Sequence, residues 1–120
     1  IRSDIKYTDF SKRFEEFKNK KPKEPVGELL MNQCFYSGIG NYLRSDILYD
    51  ANICPLKEIS KLTKIEIKRL FTSIVKIMRW NYKTRSKGRG HFLIYKKNYT
   101  NKKEKVKTYK LKGRTVYTIL

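Results

Sequence analysis

The sequence predicts a mainly α-helical domain that is followed by a two-stranded antiparallel β-hairpin. Apolar residues recur at helical spacing through much of residues 8–82, and a glycine-rich turn interrupts that spacing at residues 37–40. The segment after residue 90 is rich in β-branched and aromatic residues, which are typical of strands. A chain of 120 residues can form one domain or two small modules. We therefore expect a helical domain over residues 1–82 and a linker with the hairpin over residues 83–120.

Two helices are expected before the glycine-rich turn. The first covers residues 8–20, where three phenylalanines occupy the i, i+4 and i+7 positions of one helical face. Thr8 and Asp9 are candidate N-cap residues for it. The second runs from about residue 26 to residue 36 and stops at Ser37–Gly40, where two glycines permit backbone angles that side chains forbid.

Two further helices are expected after the turn. Asn41 is a favoured N-cap residue, so a third helix is expected from there to about Asp50. Thr63 and Glu66 form the pattern of a capping box at the head of the longest periodic stretch, which continues to about Tyr82. We expect the apolar stripe of this last helix to pack in the core and not to line a cofactor site.

The strands of the hairpin are assigned to residues 91–99, HFLIYKKNY, and residues 108–120, TYKLKGRTVYTIL. Both segments contain alternating or β-branched residues. Residues 100–105 are expected to form an exposed connection between them, and the polar residues 84–90 a flexible link to the helices.

The charge of the chain favours a polyanionic partner. The formal net charge is +18, and residues 83–120 contain 13 Lys/Arg and a single acid, whereas residues 1–82 contain 16 Lys/Arg and 10 acids. Neutralisation of phosphates with counterion release is the main source of affinity for nucleic acids. Nucleic acid is therefore the leading class of partner. An A/T-rich genome that inflates lysine, or a solvated basic tail, is the alternative that the charge leaves open.

Other kinds of site find little support in the sequence. No apolar run is long enough to span a bilayer or serve as a secretory signal, so no membrane partner is expected. Cys34 and Cys54 lie twenty positions apart with only His91 as a further soft ligand, so we expect free thiols, no metal and no cofactor. Asp46 and Asp50 are expected to be surface or capping groups.

The most informative local pattern is the turn Gly38-Ile39-Gly40 followed by Asn41. A glycine turn that presents backbone N–H groups at a helix N-terminus is a ready anion site, because the donors and the helix dipole both favour phosphate. We therefore expect a phosphate contact near Gly40 and Asn41. An ordinary capped helix is the alternative that these residues alone leave open.

The longer segment around this turn resembles the helix-two-turns-helix signature of the Fpg/Nei family of DNA glycosylases. The match extends over about 25 contiguous residues. It comprises a glutamine, the G-I-G-N turn, an acid, an aliphatic pair and a proline, here Gln33, Gly38–Asn41, Asp46, Ile47, Leu48 and Pro55. The resemblance implies a helix-two-turns-helix domain in which Asn41 binds a backbone phosphate of DNA.

A second resemblance lies downstream, at Phe92–Tyr95 and Gly113–Tyr117. The family has a β-hairpin zinc finger there, but this chain has none of the four cysteines that the finger needs, and it resembles the zincless-finger subgroup of endonuclease VIII-like enzymes. The resemblance implies that Arg114 binds phosphate, for which its planar guanidinium is suited. A merely basic strand residue is the alternative for Arg114. Tyr95 is expected close to the DNA, with a plain hydrophobic strand role as the alternative.

The catalytic residues of the family have no counterparts in this chain. The family nucleophile is an N-terminal proline amine in a β-sandwich domain, whereas this chain begins Ile1-Arg2-Ser3. We therefore expect no catalysis by this chain alone. The resemblance implies the DNA-binding portion of an intracellular, monomeric glycosylase and AP lyase that acts on oxidised bases in double-stranded DNA, with the missing N-terminal catalytic domain as partner.

Two other functions remain open at this stage. A non-enzymatic basic module could bind RNA or DNA through a G-I-G turn, as some ribosomal and helix-hairpin-helix proteins do. A fragment with only a fold-stabilising role is the second, and it would bind no nucleic acid.

Overall fold

Four α-helices precede a β-hairpin in the part of the chain that the computed structural model describes, residues 6–86 and 93–120. The helices are α1 (Tyr7–Lys20), α2 (Val26–Leu29), α3 (Asn41–Ala51) and α4 (Lys64–Ser86), with a short 3₁₀ helix at Ile59–Lys61. The strands β1 (Lys107–Leu111) and β2 (Arg114–Thr118) pair in antiparallel register. The predicted fold class, a mainly helical chain that ends in a two-stranded antiparallel hairpin, is confirmed.

The start of α1 differs from the expected one. Lys6 occupies the N-cap position in an extended conformation and makes no side-chain cap hydrogen bond, so the prediction that Thr8 or Asp9 caps the helix is wrong. The apolar face is as predicted, because Phe10 and Phe14 are fully buried. Tertiary packing of this face, and not a cap, therefore holds α1 in place.

The core forms where α1 and α4 pack together with α3 and the segment after α2. The ring of Phe10 lies 5.3 Å from that of Phe35 and 5.1 Å from that of Phe71, centroid to centroid. The apolar stripe of α4 faces this core, as predicted; its fully or nearly fully buried members are Ile67, Leu70, Ile74, Ile77 and Met78. The stripe is thus packing surface.

Helix α2 is a single turn, although the sequence predicts a helix to about Tyr36. The side chains of two residues bind backbone groups in place of a helical ladder. Asn32 Oδ1 accepts from the Cys34 amide at 2.9 Å, and Gln33 Oε1 accepts from the Gly38 amide at 3.1 Å. Such local side-chain hydrogen bonds compete with helix formation and give turns instead.

The hairpin lies later in the chain than predicted. Residues 91–99 are not its first strand: the first two lie outside the described residues, and residues 93–106 form turns with isolated bridging. Both strands instead lie almost entirely within residues 108–120 and are joined by Lys112 and Gly113. Those two residues have φ of 50° and 80°, the positive values that tight two-residue hairpin turns require.

The segment before the hairpin is a loop closed by its own polar groups. Tyr99 and Lys105 form an isolated bridge, and the Thr100 amide donates to the Glu104 carbonyl at 3.0 Å. The Glu104 carboxylate accepts from the Tyr49 hydroxyl of α3 at 2.8 Å and from the Thr100 hydroxyl at 2.9 Å. The one acid of residues 83–120 therefore fixes this loop to the helical part of the chain.

The capping box at the head of α4 is confirmed. Thr63 Oγ1 accepts from the Glu66 amide at 3.1 Å, and Glu66 Oε1 accepts from the Thr63 amide at 3.0 Å. Burial favours the neutral Glu66 carboxyl, but its hydrogen bonds to Thr63 and to Lys57 outweigh burial and lower its pKa. The helix continues to Ser86, beyond the predicted end near Tyr82.

Helix α3 joins the two parts of the molecule, because it packs against both α4 and β2. The division of the chain into domains at residue 82 stays a prediction, and most of the expected link at residues 84–90 lies outside the described residues. Among the residues that are described, no helix has the length and apolar character needed to cross a bilayer.

Replacing Thr63 by Ala should lower the free energy of unfolding by about 1 kcal/mol, the usual cost of losing an N-cap side chain. Urea denaturation would measure it. Thr72→Ala is the matched control: its hydroxyl donates to the Lys68 carbonyl at 3.0 Å on the exposed face of the same helix, so a change within about 0.5 kcal/mol is expected. Equal losses in the two variants would contradict the role of the cap.

Candidate functional site

The glycine turn before α3 is organised by one glutamine. Gln33 Oε1 accepts from the Gly38 amide at 3.1 Å, while Gln33 Nε2 donates to the Ile39 carbonyl at 3.3 Å. Gly38 has φ of 97°, a conformation that other residues rarely adopt. The turn delivers Gly40 to the N-cap position of α3 and Asn41 to its first residue.

Tyr42, Tyr95 and Tyr117 form a tyrosine cluster, and Gly40 lies against it. A Cβ on Gly40 would lie 2.9 Å from the ring of Tyr42, which covers the glycine. The Tyr42 ring lies 6.4 Å from the Tyr95 ring, and the Tyr95 ring lies 5.4 Å from the Tyr117 ring, both edge to face. Lys96 Nζ lies 5.6 Å from the Tyr95 centroid. The cluster therefore connects the start of α3 to β2 and carries a cation beside it.

Asn41 does not cap α3, contrary to the prediction, because Gly40 holds that position without a side-chain cap hydrogen bond. Its amide instead joins the helix to the hairpin. Asn41 Nδ2 donates to the Thr115 carbonyl at 3.2 Å, and Asn41 Oδ1 accepts from Arg44 Nε at 3.0 Å. Arg114 precedes Thr115 and is exposed at the start of β2. The two residues expected to bind phosphate are thus brought together across 73 sequence positions.

The outer edge of β2 is held by side chains of α3. Thr115 presents its carbonyl to Asn41, and the Tyr117 amide donates to Ser45 Oγ at 3.1 Å. Alternate residues of a strand point their backbone groups to the same edge, so both groups face away from β1. A two-stranded hairpin is marginally stable by itself. Helix α3 therefore supplies the partner that this hairpin needs.

Asp46 anchors the segment that leads to the hairpin. It is fully buried, and its carboxylate accepts from the amides of Leu93, Ile94 and Tyr95 at 2.9, 3.0 and 3.2 Å. Burial raises the pKa of the Asp46 carboxyl, and the three hydrogen bonds and the charge of Lys97 offset part of that rise. The expectation that Asp46 is a surface or capping group is wrong.

Asp50 of α3 lies nearer to the surface than Asp46. It accepts from the Ser73 hydroxyl at 2.7 Å and pairs with Lys76 at 2.8 Å. It therefore links α3 to α4.

Arg44 is a buried site residue that the sequence analysis missed. It is fully buried and donates to Asn41. Its position carried a signal, because Arg44 lies at the i position of an i, i+3, i+4, i+7 set whose other members are apolar: Ile47, Leu48 and Ala51. Charged residues are rarely buried unless they are paired. The charge of Arg44 therefore favoured an exposed side chain, although the helical spacing places it on the apolar face.

Metal ligands do not cluster in the described residues. Across residues 6–86 and 93–120, no three His, Cys, Asp or Glu side chains are grouped so that they could hold a metal ion. Cys34 and Cys54 are free thiols, exposed and half-buried respectively. His91 lies outside the described residues.

The glycine turn that leads into α3 and the helices around it are the features expected of a helix-two-turns-helix domain. A family model described as the formamidopyrimidine-DNA glycosylase H2TH domain matches residues 3–93. The chain belongs to this family, and the resemblance seen in the sequence is confirmed.

Curated relatives agree with this assignment. The chain is 38% identical over 74 residues to a formamidopyrimidine-DNA glycosylase of Prochlorococcus marinus and 39% identical over 57 residues to an endonuclease 8 of Pectobacterium atrosepticum. The matched regions cover 58% and 48% of this chain, but 26% and 22% of those proteins. The matched part of this chain therefore corresponds to about a quarter of the length of each of these relatives.

Solved structures show the same fold over nearly the whole chain. A viral DNA glycosylase superposes with a TM-score of 0.77 at 25% identity, covering 94% of this chain and 44% of that one. MutM in complex with DNA containing carbocyclic 8-oxo-G superposes with a TM-score of 0.76 at 25% identity, covering 90% and 45%. The shared fold includes the hairpin as well as the helices.

Replacing Asp46 by Asn should free residues 93–95 from α3, because an amide nitrogen would face backbone donors in place of a carboxylate oxygen. Loss of hydrogen bonds to a charged acceptor should lower the free energy of unfolding by about 2 kcal/mol. Urea denaturation measures this loss, and hydrogen exchange should speed up at the Leu93, Ile94 and Tyr95 amides. Glu16→Gln, on the exposed face of α1, is the matched control. Unchanged exchange in Asp46→Asn would contradict the anchoring role.

Proposed function

We propose that this chain is the DNA-binding portion of a base-excision-repair DNA glycosylase and AP lyase that acts on oxidised bases. In this proposal it holds double-stranded DNA by its backbone phosphates, through Asn41 and Arg114 with Gly40 and Tyr95 beside them. The observation that carries the proposal is the hydrogen bond from the Asn41 amide to the Thr115 carbonyl. It sets the amide beside the backbone of Arg114, which precedes Thr115 in β2.

The chemistry of this pair suits a phosphate group. An asparagine amide nitrogen has two hydrogens, and one of them is used by the Thr115 carbonyl. A guanidinium binds phosphate oxygens bidentately and stays charged at neutral pH. Contacts of this kind position a protein on DNA without reading its sequence, which suits an enzyme that must examine any sequence for damage.

The surroundings of the pair support the same partner. The tyrosine cluster of Tyr42, Tyr95 and Tyr117 lies between the start of α3 and the hairpin, and Lys96 lies beside it. Residues 83–120, which include the hairpin, contain 13 Lys/Arg and one acid and so carry most of the net positive charge of the chain. Counterion release on phosphate neutralisation would then supply most of the affinity.

The activity that we propose for the whole protein rests on what its relatives are named for. They are named as DNA glycosylases and endonuclease 8, and the solved neighbours include complexes with DNA that contains a modified base or an abasic site. Enzymes that act on a base in duplex DNA must flip it out of the stack. We propose that a catalytic domain outside these residues does the chemistry, that the protein is monomeric, and that it works inside the cell wherever DNA is kept.

Alanine at Asn41 or at Arg114 should weaken binding to duplex DNA by about tenfold each, because each variant removes a hydrogen bond to a charged group. The Kd is measured by titrating the protein into a labelled duplex that contains an abasic-site analogue, at several salt concentrations. Arg114→Ala should also make the salt dependence of log Kd shallower by about one phosphate contact.

The matched control is Lys64→Ala, which removes one exposed positive charge at the start of α4. That end of α4 lies beside the C-terminal end of α3, where Arg69 donates to the Ala51 carbonyl, whereas Asn41 begins α3. The proposed contacts would be excluded if Asn41→Ala and Arg114→Ala bound the duplex as tightly as the unmodified chain, or if the Kd did not change with salt concentration. Preference for structured RNA over the duplex would point to a non-enzymatic binding module.

A further inference from the structure

Arg44 is a charged side chain with no access to solvent. Its Nη1 donates to the Gly27 carbonyl at 2.8 Å and lies 3.6 Å from Glu28 Oε1, and its Nε donates to Asn41 Oδ1 at 3.0 Å. Burial lowers the pKa of Arg44, while the charge of Glu28 acts in the opposite direction. A buried guanidinium is costly unless it is paired, so its position on the apolar face of α3 calls for a role that an apolar residue could not fill.

The hydrogen bonds of Asn41 define which way its amide faces. A guanidinium nitrogen only donates, so Arg44 Nε must meet the oxygen of the Asn41 amide. A carbonyl only accepts, so Thr115 must meet the nitrogen. The two neighbours thereby select one of the two amide orientations, with the nitrogen directed to the hairpin and its second hydrogen left over for another acceptor.

A second connection runs from Arg44 to the hairpin turn. The Glu28 carboxylate lies between Arg44 Nη1, at 3.6 Å, and Lys112 Nζ, at 3.4 Å. Arg44 is therefore connected to the chain on both sides of Arg114. It contacts Lys112, two residues before Arg114, through Glu28, and Thr115, the next residue, through Asn41. Because Lys112 is largely exposed, its ion pair is screened by solvent and contributes little. The Asn41 route is the stronger of the two.

We propose that Arg44 is a positioning residue for phosphate binding, which holds the Asn41 amide with its nitrogen toward the hairpin and the DNA backbone. This inference rests on the proposed function, since it assigns to Arg44 the orientation of a group that binds the phosphate. Lysine cannot replace arginine here, because a single ammonium has no nitrogen placed as Nε is, so it cannot bind Asn41 Oδ1 and the Gly27 carbonyl with the same fork.

Two variants of the full chain test the role, Arg44→Met and Arg44→Lys. Each should weaken binding to the abasic-site duplex by about tenfold, equivalent to about 1.4 kcal/mol. Lysine keeps the charge and supplies a second test should the methionine variant fail to fold. Arg69→Met is the matched control, because Arg69 also donates from Nε to a backbone carbonyl, that of Ala51. It should bind the duplex as the unmodified chain does, apart from the small effect of one lost charge.

A double-mutant cycle separates positioning from a purely structural role. If Arg44 acts through Asn41, then Arg44→Lys should cost no further affinity once Asn41 is alanine, because the group that it orients is gone. Additive losses in the double variant would overturn the proposal, since they would show that Arg44 affects binding by another route.

An observation without DNA makes the test independent of the proposed function. In ¹⁵N-labelled free protein, the two side-chain amide protons of Asn41 should exchange with solvent faster in both Arg44 variants than in the unmodified chain and in Arg69→Met. Unchanged exchange would overturn the positioning role. Failure of the unmodified chain to bind any duplex would instead overturn the proposed function, whatever the Asn41 protons do.

Discussion

The attachment of the hairpin to α3 is the interaction on which the candidate site depends. Three residues of one helix, Asn41, Ser45 and Asp46, bind backbone groups of the C-terminal segment. The hairpin has only two strands and is marginally stable by itself, so these contacts supply the partner that its outer edge lacks. Because the partners are backbone groups, the attachment specifies where the chain runs and leaves the hairpin side chains available for other contacts.

Buried charge is the means by which α3 achieves this. The Asp46 carboxylate satisfies three amides at once, and Arg44 joins the start of α3 to α2. Each group loses its hydration on burial, and these hydrogen bonds replace it only in part for Arg44, whose Nη2 is buried without a hydrogen-bond partner among the described residues, so losing any one of them is costly. Such geometry favours a single defined structure over a loosely packed one. A phosphate contact needs that definition, because its hydrogen bonds weaken steeply with misalignment.

The sequence predicted local features better than long-range ones. The glycine turn, the start of α3 near Asn41 and the capping box at Thr63 and Glu66 follow from residues close in the chain, and the structure has them. The hairpin was misplaced because residues 93–99 have strand-like composition, whereas three of their amides are taken by Asp46. Composition alone cannot reveal a partner 47 to 49 positions away.

The hydrogen bond between Asn41 and Thr115 also has a consequence for the order of folding. Its two ends are separated by 74 positions, and closure of so long a loop carries a high entropic cost that local contacts must first offset. The helices can pack before the hairpin docks, but the candidate site exists only after it has done so. Synthesis runs from the N-terminus, so the basic hairpin segment emerges after the helices, and the candidate site is complete only once that segment has docked.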